Sequence, residues 1–203
     1  MDSPPEGSGK KAGAGAIVAA IVAFALKFKA LFAIVASSWS LILSLWLYAL
    51  AFGWRFGVIL ILIVLLHELG HYAAFRAYGL PVRLPVFIPF FGAFTAGVAP
   101  HDPEQGAYIA LAGPVVGFAV AGACYALGAA TSDHFWYACA SVSAFMNLFN
   151  MIPFPPLDGG RVVGSARVLT GTSRYVIFGW YAAVAAGLGI MMWQTYLAIG
   201  MTP

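Results

Sequence analysis

The pattern of apolar and polar positions divides most of this chain into long apolar stretches separated by short polar or proline-rich breaks. A helix needs about 20 apolar residues to cross the hydrocarbon core of a bilayer. Five stretches are close to this length or longer, and they lie at residues 37–54, 56–78, 106–130, 135–152 and 174–199. The sequence therefore predicts a transmembrane helix at each of them.

The N-terminal region leaves two interpretations open. Residues 1–15 are rich in Gly, Pro and Ser, and we predict a flexible tail there. Residues 16–36 are apolar but are interrupted by Lys27 and Lys29. This segment is either a sixth transmembrane helix or, as we favour, a helix in the membrane interface with its lysines toward the head groups. The fold class is thus an all-α polytopic membrane protein with five to six transmembrane helices.

Residues 79–104 differ from the rest because helix-breaking residues recur throughout them. Between the breaks lie short β-favouring runs such as residues 86–88. We predict a short membrane-associated β-hairpin or re-entrant segment. Backbone of this kind is tolerated at membrane depth only where protein buries it or where it lines a water-filled cavity.

Composition and charge agree with a membrane protein and exclude some other classes. Hydrophobic residues make up 62% of the chain and charged residues only 8%, whereas soluble domains have about 25% charged residues. The ten Lys and Arg residues lie at the ends of apolar runs and form no basic patch, so we expect no nucleic-acid partner. Cys124 and Cys139 lie inside apolar runs and are predicted to be small buried residues.

The apolar run at 56–78 contains His67, Glu68 and His71. Histidines four residues apart share one face of a helix, where both imidazoles can bind a single metal ion. Glu68 points to a neighbouring face and can act as a general base toward a water molecule. This is the H-E-x-x-H pattern of zinc proteases. The alternative is a polar cluster satisfied by interhelical hydrogen bonds, but ionisable groups inside a membrane span usually mark function.

A catalytic zinc ion needs a third protein ligand and one open position. Asp158 is the best candidate, since it follows a proline-broken stretch at the same membrane end as the histidines and precedes two glycines. His101, Asp102 and Glu104 lie in a loop on that side and stay open as candidates. The alternative role for Asp158 is to cap the helix that follows it.

These motifs resemble the site-2 protease family of intramembrane zinc metalloproteases. The resemblance rests on the H-E-x-x-H segment, on Gly113-Pro114, and on the segment 150–160, which reads Asn-x-x-Pro and then Leu-Asp-Gly. The proline-rich stretch at 85–94 also resembles a membrane-associated hairpin of that family. The likeness covers about residues 37–170 and suggests a compact form, without a PDZ or nucleotide-sensing domain.

The resemblance implies a metalloprotease core over residues 37–170. Within it, the spans at 56–78, 106–130 and 135–169 are expected to form a three-helix catalytic core. Residues 171–203 are expected to add a C-terminal transmembrane helix.

The resemblance also implies the chemistry of the site. One zinc ion is expected to be held by His67, His71 and Asp158, with Glu68 as the catalytic acid and base. Asn150 is expected to contact the substrate or to stabilise the oxyanion. The expected reaction is hydrolysis of a peptide bond in or near a transmembrane segment, as in regulated intramembrane proteolysis, with a transmembrane protein substrate and the lipid bilayer as partners. The alternative functions are a zinc transporter or sensor without proteolytic activity, or a silent membrane scaffold.

The distribution of Lys and Arg predicts the orientation in the membrane. If residues 12–36 do not cross, nine of these residues lie on one side and only Arg55 lies on the other; if residues 12–26 cross, Lys10 and Lys11 change sides and the ratio is seven to three. Positive residues favour the cytoplasmic side. We therefore expect an integral protein of the cell membrane, with the hairpin and the active site toward the cytoplasm.

Overall fold

The computed structural model describes residues 39–90 and 92–200, so the predicted tail at 1–15 and the segment at 16–36 lie outside the described residues. The described residues form six helices and one two-stranded sheet, which confirms the predicted fold class. The elements are α1 (Trp39–Phe52), α2 (Trp54–Ala77), β1 (Val86–Ile88), β2 (Gly92–Phe94), α3 (Pro103–Thr131), α4 (His134–Asn150), α5 (Asp158–Val168) and α6 (Gly171–Gly200).

Three of these helices, α2, α3 and α6, are long and apolar enough to cross a membrane. They have 24, 29 and 30 residues. Helices α1 and α4 have 14 and 17 residues. At 1.5 Å per residue, α1 and α4 are about 21 Å and about 26 Å long, shorter than the hydrocarbon core of about 30 Å. The helices at 37–54 and 135–152 are thus shorter than the apolar runs that predicted them.

Helix α3 begins earlier than its apolar pattern suggested. Pro114 lies inside this helix and is buried. The helix instead begins at Pro103, where the Asp102 side chain accepts a hydrogen bond of 2.9 Å from the Glu104 backbone N–H. An Asp cap followed by Pro at the first helical position is a favourable helix start. In a membrane bundle, neighbouring groups can compensate for an internal proline.

Small residues allow the helices to approach closely. Lipid tails are as apolar as side chains, so close packing rather than hydrophobic burial holds membrane helices together. A side-chain carbon at Gly70 of α2 would overlap the backbone carbonyl of Ala112 in α3, so glycine permits this contact. Between α3 and α4, Cys124 and Cys139 are free thiols in a buried cluster, as predicted.

The hairpin is inserted beside α1 and α2 rather than exposed as a loop. Strands β1 and β2 pair antiparallel, with Phe87 opposite Ala93. Phe87 is buried in a cluster with Tyr48 of α1 and with Ile61 and Val64 of α2. The predicted hairpin is therefore present and is anchored in protein.

A proline-rich turn between α4 and α5 turns the chain back toward α2. The Tyr181 hydroxyl of α6 donates a hydrogen bond to the Met151 carbonyl at the start of this turn. Gly159 lies against the same carbonyl, and a side-chain carbon at that position would overlap it. These contacts place Asp158, the first residue of α5, next to the histidines of α2.

Candidate active site

Helix α2 and the start of α5 bring three of the predicted site residues together. The Nε2 atoms of His67 and His71 lie 3.1 Å apart. The Asp158 Oδ2 atom lies 3.2 Å from the first and 3.3 Å from the second. All three side chains are buried. Among residues 39–90 and 92–200, this is the one group of three His, Cys, Asp or Glu residues that could hold a metal ion.

The other candidates for a third ligand lie outside this group. Asp102 caps α3, and neither His101 nor Glu104 belongs to the cluster. Asp158 does not fill the capping role considered for it, because α5 begins at Asp158 itself and Leu157 is the capping residue. Its carboxylate instead faces the histidines.

Hydrogen bonds from neighbouring helices fix the orientation of both imidazoles. The Nδ1 atom of His71 lies 2.8 Å from the Ile109 carbonyl of α3, which can only accept, so Nδ1 carries the proton. His67 Nδ1 lies 2.7 Å from Asn147 Oδ1 in α4. The Asn147 Nδ2 group donates to the Ser143 carbonyl at 2.7 Å, so its oxygen accepts from His67. In its neutral form, each imidazole therefore directs an unprotonated Nε2 toward Asp158.

This arrangement fits a zinc ion. Two nitrogen lone pairs and a carboxylate oxygen repel one another at these distances, and a cation between them removes the repulsion. Asp158 Oδ2 is a buried oxygen without a hydrogen-bond partner, which is costly in an apolar setting unless a cation binds it. Ligands at 2.0–2.1 Å from a tetrahedral zinc ion lie about 3.4 Å apart, close to the observed separations.

Glycine on α3 makes room for the ligands. A side-chain carbon at Gly113 would overlap the imidazoles of His71 and His67. The sequence showed Gly113 only as part of a Gly-Pro pair, and the structure assigns it to the wall behind the two rings.

Glu68 lies beside His67, His71 and Asp158, and a residue of the hairpin region forms a hydrogen bond with its side chain. Its side chain is buried, and the Thr95 hydroxyl, just after β2, donates to its Oε2 atom at 2.8 Å. Glu68 and the three ligands open on a cavity of ≈ 370 Å³. Strand β2, Asn150 and Arg161 form other parts of the cavity wall. The site thus combines a group of three residues that could hold a metal ion, a buried carboxylate beside it and space for a substrate.

Sequence reasoning missed two residues of the site. Asn150 lies in the cavity wall as expected, but Asn147, one turn earlier on α4, is the asparagine that bonds a ligand. The separation of three residues between the two asparagines could have indicated that both share the inward face. No sequence pattern indicated Thr95, because its contact with Glu68 depends on how the hairpin packs against α2.

Comparison with known proteins agrees with this site. The family profile described as Peptidase family M50 matches residues 55–133 and 128–185. "Putative zinc metalloprotease Rip3" of Mycobacterium tuberculosis is 29% identical over 153 residues, which cover 62% of this chain and 39% of that protein. "Putative zinc metalloprotease sll0528" of Synechocystis sp. is 30% identical over 158 residues, which cover 68% of this chain and 41% of that protein.

The chain spans about two-fifths of the length of these curated relatives. The family match extends from the start of α2 into α6 and includes all three ligands, Glu68 and both asparagines. The chain therefore belongs to peptidase family M50, the site-2 protease family.

Proposed function

We propose that this chain is a zinc metalloprotease that cleaves peptide bonds in or near the transmembrane segments of other membrane proteins. The observation that carries the proposal is the triangle of His67, His71 and Asp158, with Glu68 beside it, on a helix long and apolar enough to cross a membrane. The names of the two relatives support zinc protease chemistry. The position of the site on α2, a helix long and apolar enough to cross a membrane, supports cleavage within the membrane.

The roles of the residues follow from their chemistry. His67, His71 and Asp158 hold one zinc ion. When bound, zinc polarises the substrate carbonyl and lowers the pKa of a water molecule. Glu68 accepts the proton of the attacking water and passes it to the leaving amine. Asn150, in the cavity wall, is placed to contact the substrate backbone or the oxyanion.

The hairpin offers a way to hold an unwound substrate. A transmembrane helix hides its carbonyls in its own hydrogen bonds, so the segment to be cleaved must become extended. Strand β2 has β1 on one side and lines the site cavity. An extended peptide can add to such a strand through backbone hydrogen bonds. Ala93→Pro should therefore reduce cleavage without changing zinc content, and unchanged cleavage would exclude this route.

The described residues also support the proposed orientation. At one end of the bundle, Arg55 of α2 pairs with Asp133 before α4 at 3.4 Å. The other five arginines of the described ranges lie at or beyond the opposite helix ends, at Arg76, Arg83, Arg161, Arg167 and Arg174. By the positive-inside rule, the second end and the site cavity face the cytoplasm, in the cell membrane.

The test uses purified protein in liposomes with a single-span substrate that carries an Asn-Pro pair in its span and a tag on each side. The zinc-loaded protein should cut this substrate in or near the span, as located by mass spectrometry. Glu68→Gln should keep its zinc and lose about 100-fold or more of the cleavage rate. Glu104→Gln, at the start of α3 and outside the cluster of His67, His71 and Asp158, is the matched control and should cleave normally.

The same liposomes distinguish a protease from a zinc transporter. If neither the unmodified protein nor the Glu68→Gln variant cleaves the substrate, and both carry zinc across the bilayer, the protease proposal is wrong. The opposite end of the bundle offers little for transport: Asp133 pairs with Arg55, and within the described residues no second group of three potential ligands occurs there.

A further inference from the structure

We infer that Thr95 is a positioning residue that holds Glu68 as a base and keeps it from acting as a zinc ligand. This inference rests on the proposed function of the site. The Thr95 hydroxyl lies 2.8 Å from Oε2 of Glu68 and 3.1 Å from its backbone carbonyl. Thr95 directly follows β2, so this bond joins the hairpin to the base in the middle of α2.

Glu68 needs such a restraint because of where it lies. A glutamate side chain has several rotatable bonds, and a carboxylate is a common zinc ligand. Glu68 is adjacent to His67, and both face the same cavity. A free carboxylate there is attracted to a bound cation and would fill the open coordination position that catalysis requires. The hydroxyl of Thr95 engages one carboxylate oxygen and leaves the other for proton transfer.

A hydroxyl suits this task better than a charged donor. A hydrogen bond to a carboxylate is stronger than one between neutral groups, so it restrains the side chain. A lysine or arginine would form an ion pair and lower the basicity of the carboxylate further. Thr95 therefore orients Glu68 while leaving it able to accept a proton.

The position of Thr95 also connects the base to the substrate. Strand β2 and Thr95 line the site cavity together with Asn150 and Asp158. Thr95 also lines a second cavity of ≈ 710 Å³ that reaches Asp102 and Ser165. A peptide held along β2 would thus lie close to Thr95, and through Thr95 to Glu68.

A purely structural role is the competing explanation. In that case the hydroxyl serves the backbone carbonyl of Glu68 and only docks the hairpin. Loss of the hydroxyl would then weaken substrate binding and raise KM, while kcat and the metal environment would stay as they are. The positioning role therefore predicts a lower kcat and a changed metal environment, whereas the structural role predicts only a higher KM.

The experiment compares Thr95→Val, which keeps the shape without the hydroxyl, with Thr95→Ser, which keeps the hydroxyl. Thr131→Val is the matched control, since the Thr131 hydroxyl bonds only the Leu127 carbonyl at the far end of α3. Each protein is assayed in liposomes with the tagged substrate for kcat, KM and zinc content. Each is also loaded with Co²⁺ for its visible absorption spectrum, which reports the number of metal ligands.

Thr95→Val should lose about tenfold to hundredfold in kcat, as other residues that orient a metal site do, with KM and zinc content unchanged. Its cobalt spectrum should shift toward higher coordination, and Glu68→Gln in the same variant should reverse the shift. Thr95→Ser and Thr131→Val should match the unmodified protein. A rise in KM alone, or an unchanged spectrum, would overturn the inference. The spectra can be recorded without any cleavage, so failure of the protease proposal and failure of this inference are distinguishable.

Discussion

Asn147 provides the sharpest test of how the zinc site is built. Its side chain is fully buried, and its Oδ1 atom accepts a hydrogen bond of 2.7 Å from Nδ1 of His67. This bond keeps the His67 proton on Nδ1 and leaves Nε2 unprotonated. In Asn147→Ala the acceptor is lost, so His67 can place its proton on Nε2. A zinc ion can then bind His67 only after the proton returns to Nδ1, which no longer has a hydrogen-bond acceptor.

The magnitude follows from the cost of that unpaired donor. A buried N–H without an acceptor costs about 1–3 kcal/mol. Loss of a residue that orients a metal ligand typically weakens metal binding about tenfold to hundredfold, or about 1.4–2.7 kcal/mol. The two ranges agree, so we expect the Kd for zinc to rise by one to two orders of magnitude in Asn147→Ala.

The assay is zinc binding by competition with a chromogenic chelator. Asn147→Asp returns an acceptor for Nδ1 and should restore most of the affinity. Ser143→Ala, also on α4, removes a buried hydrogen bond of 3.0 Å from the Ser143 hydroxyl to the Gly117 carbonyl of α3, but that bond does not involve a ligand. This control should bind zinc normally. Wild-type affinity in a folded Asn147→Ala protein would refute the reasoning.

Two further predictions concern the ligands and their surroundings. Gly113→Ala should reduce zinc affinity at least about tenfold in the same competition assay, because a methyl group there overlaps the imidazoles. Gly122→Ala is the control and should have no effect, because the nearest atom to its methyl group would be in Met191, at 3.8 Å. Zinc should also dissociate on acidification, because protons compete with the ion for the imidazoles and the carboxylate. Atomic absorption after dialysis at stepped pH measures this, and retention of zinc at pH 4 would contradict the ligand set.

The fold was predictable where long apolar runs and helix breakers coincide. Helices α2, α3 and α6 follow from their apolar length, and the hairpin follows from prolines and glycines around residues 86–88. Helix ends were less predictable. Apolar residues lie on both sides of Gly53, so periodicity could not show that α1 ends at Phe52 and α2 begins at Trp54, with Gly53 between them at a φ of 85°.

The ligands were predictable because their chemistry is visible in the sequence. Two histidines and a glutamate in an apolar helix are costly without a function, and Asp158 is an acidic residue in a proline-rich break. The residues that orient them were not predictable in this way. Asn147 and Thr95 are ordinary polar residues until tertiary packing places one beside His67 and the other beside Glu68.

Glycines link the packing of the bundle to the geometry of the zinc site. Near the site, a side-chain carbon at any of four positions would overlap a neighbour, namely at Gly70 against Ala112, Gly113 against the imidazoles, Gly117 against Asn147 and Gly159 against Met151. Each of these contacts brings together two of the elements that carry or orient a ligand. Because membrane helices associate through close packing, the same small residues that hold α2, α3 and α4 together also set the distances between the ligands. These glycines therefore determine where the three residues that could hold a metal ion meet.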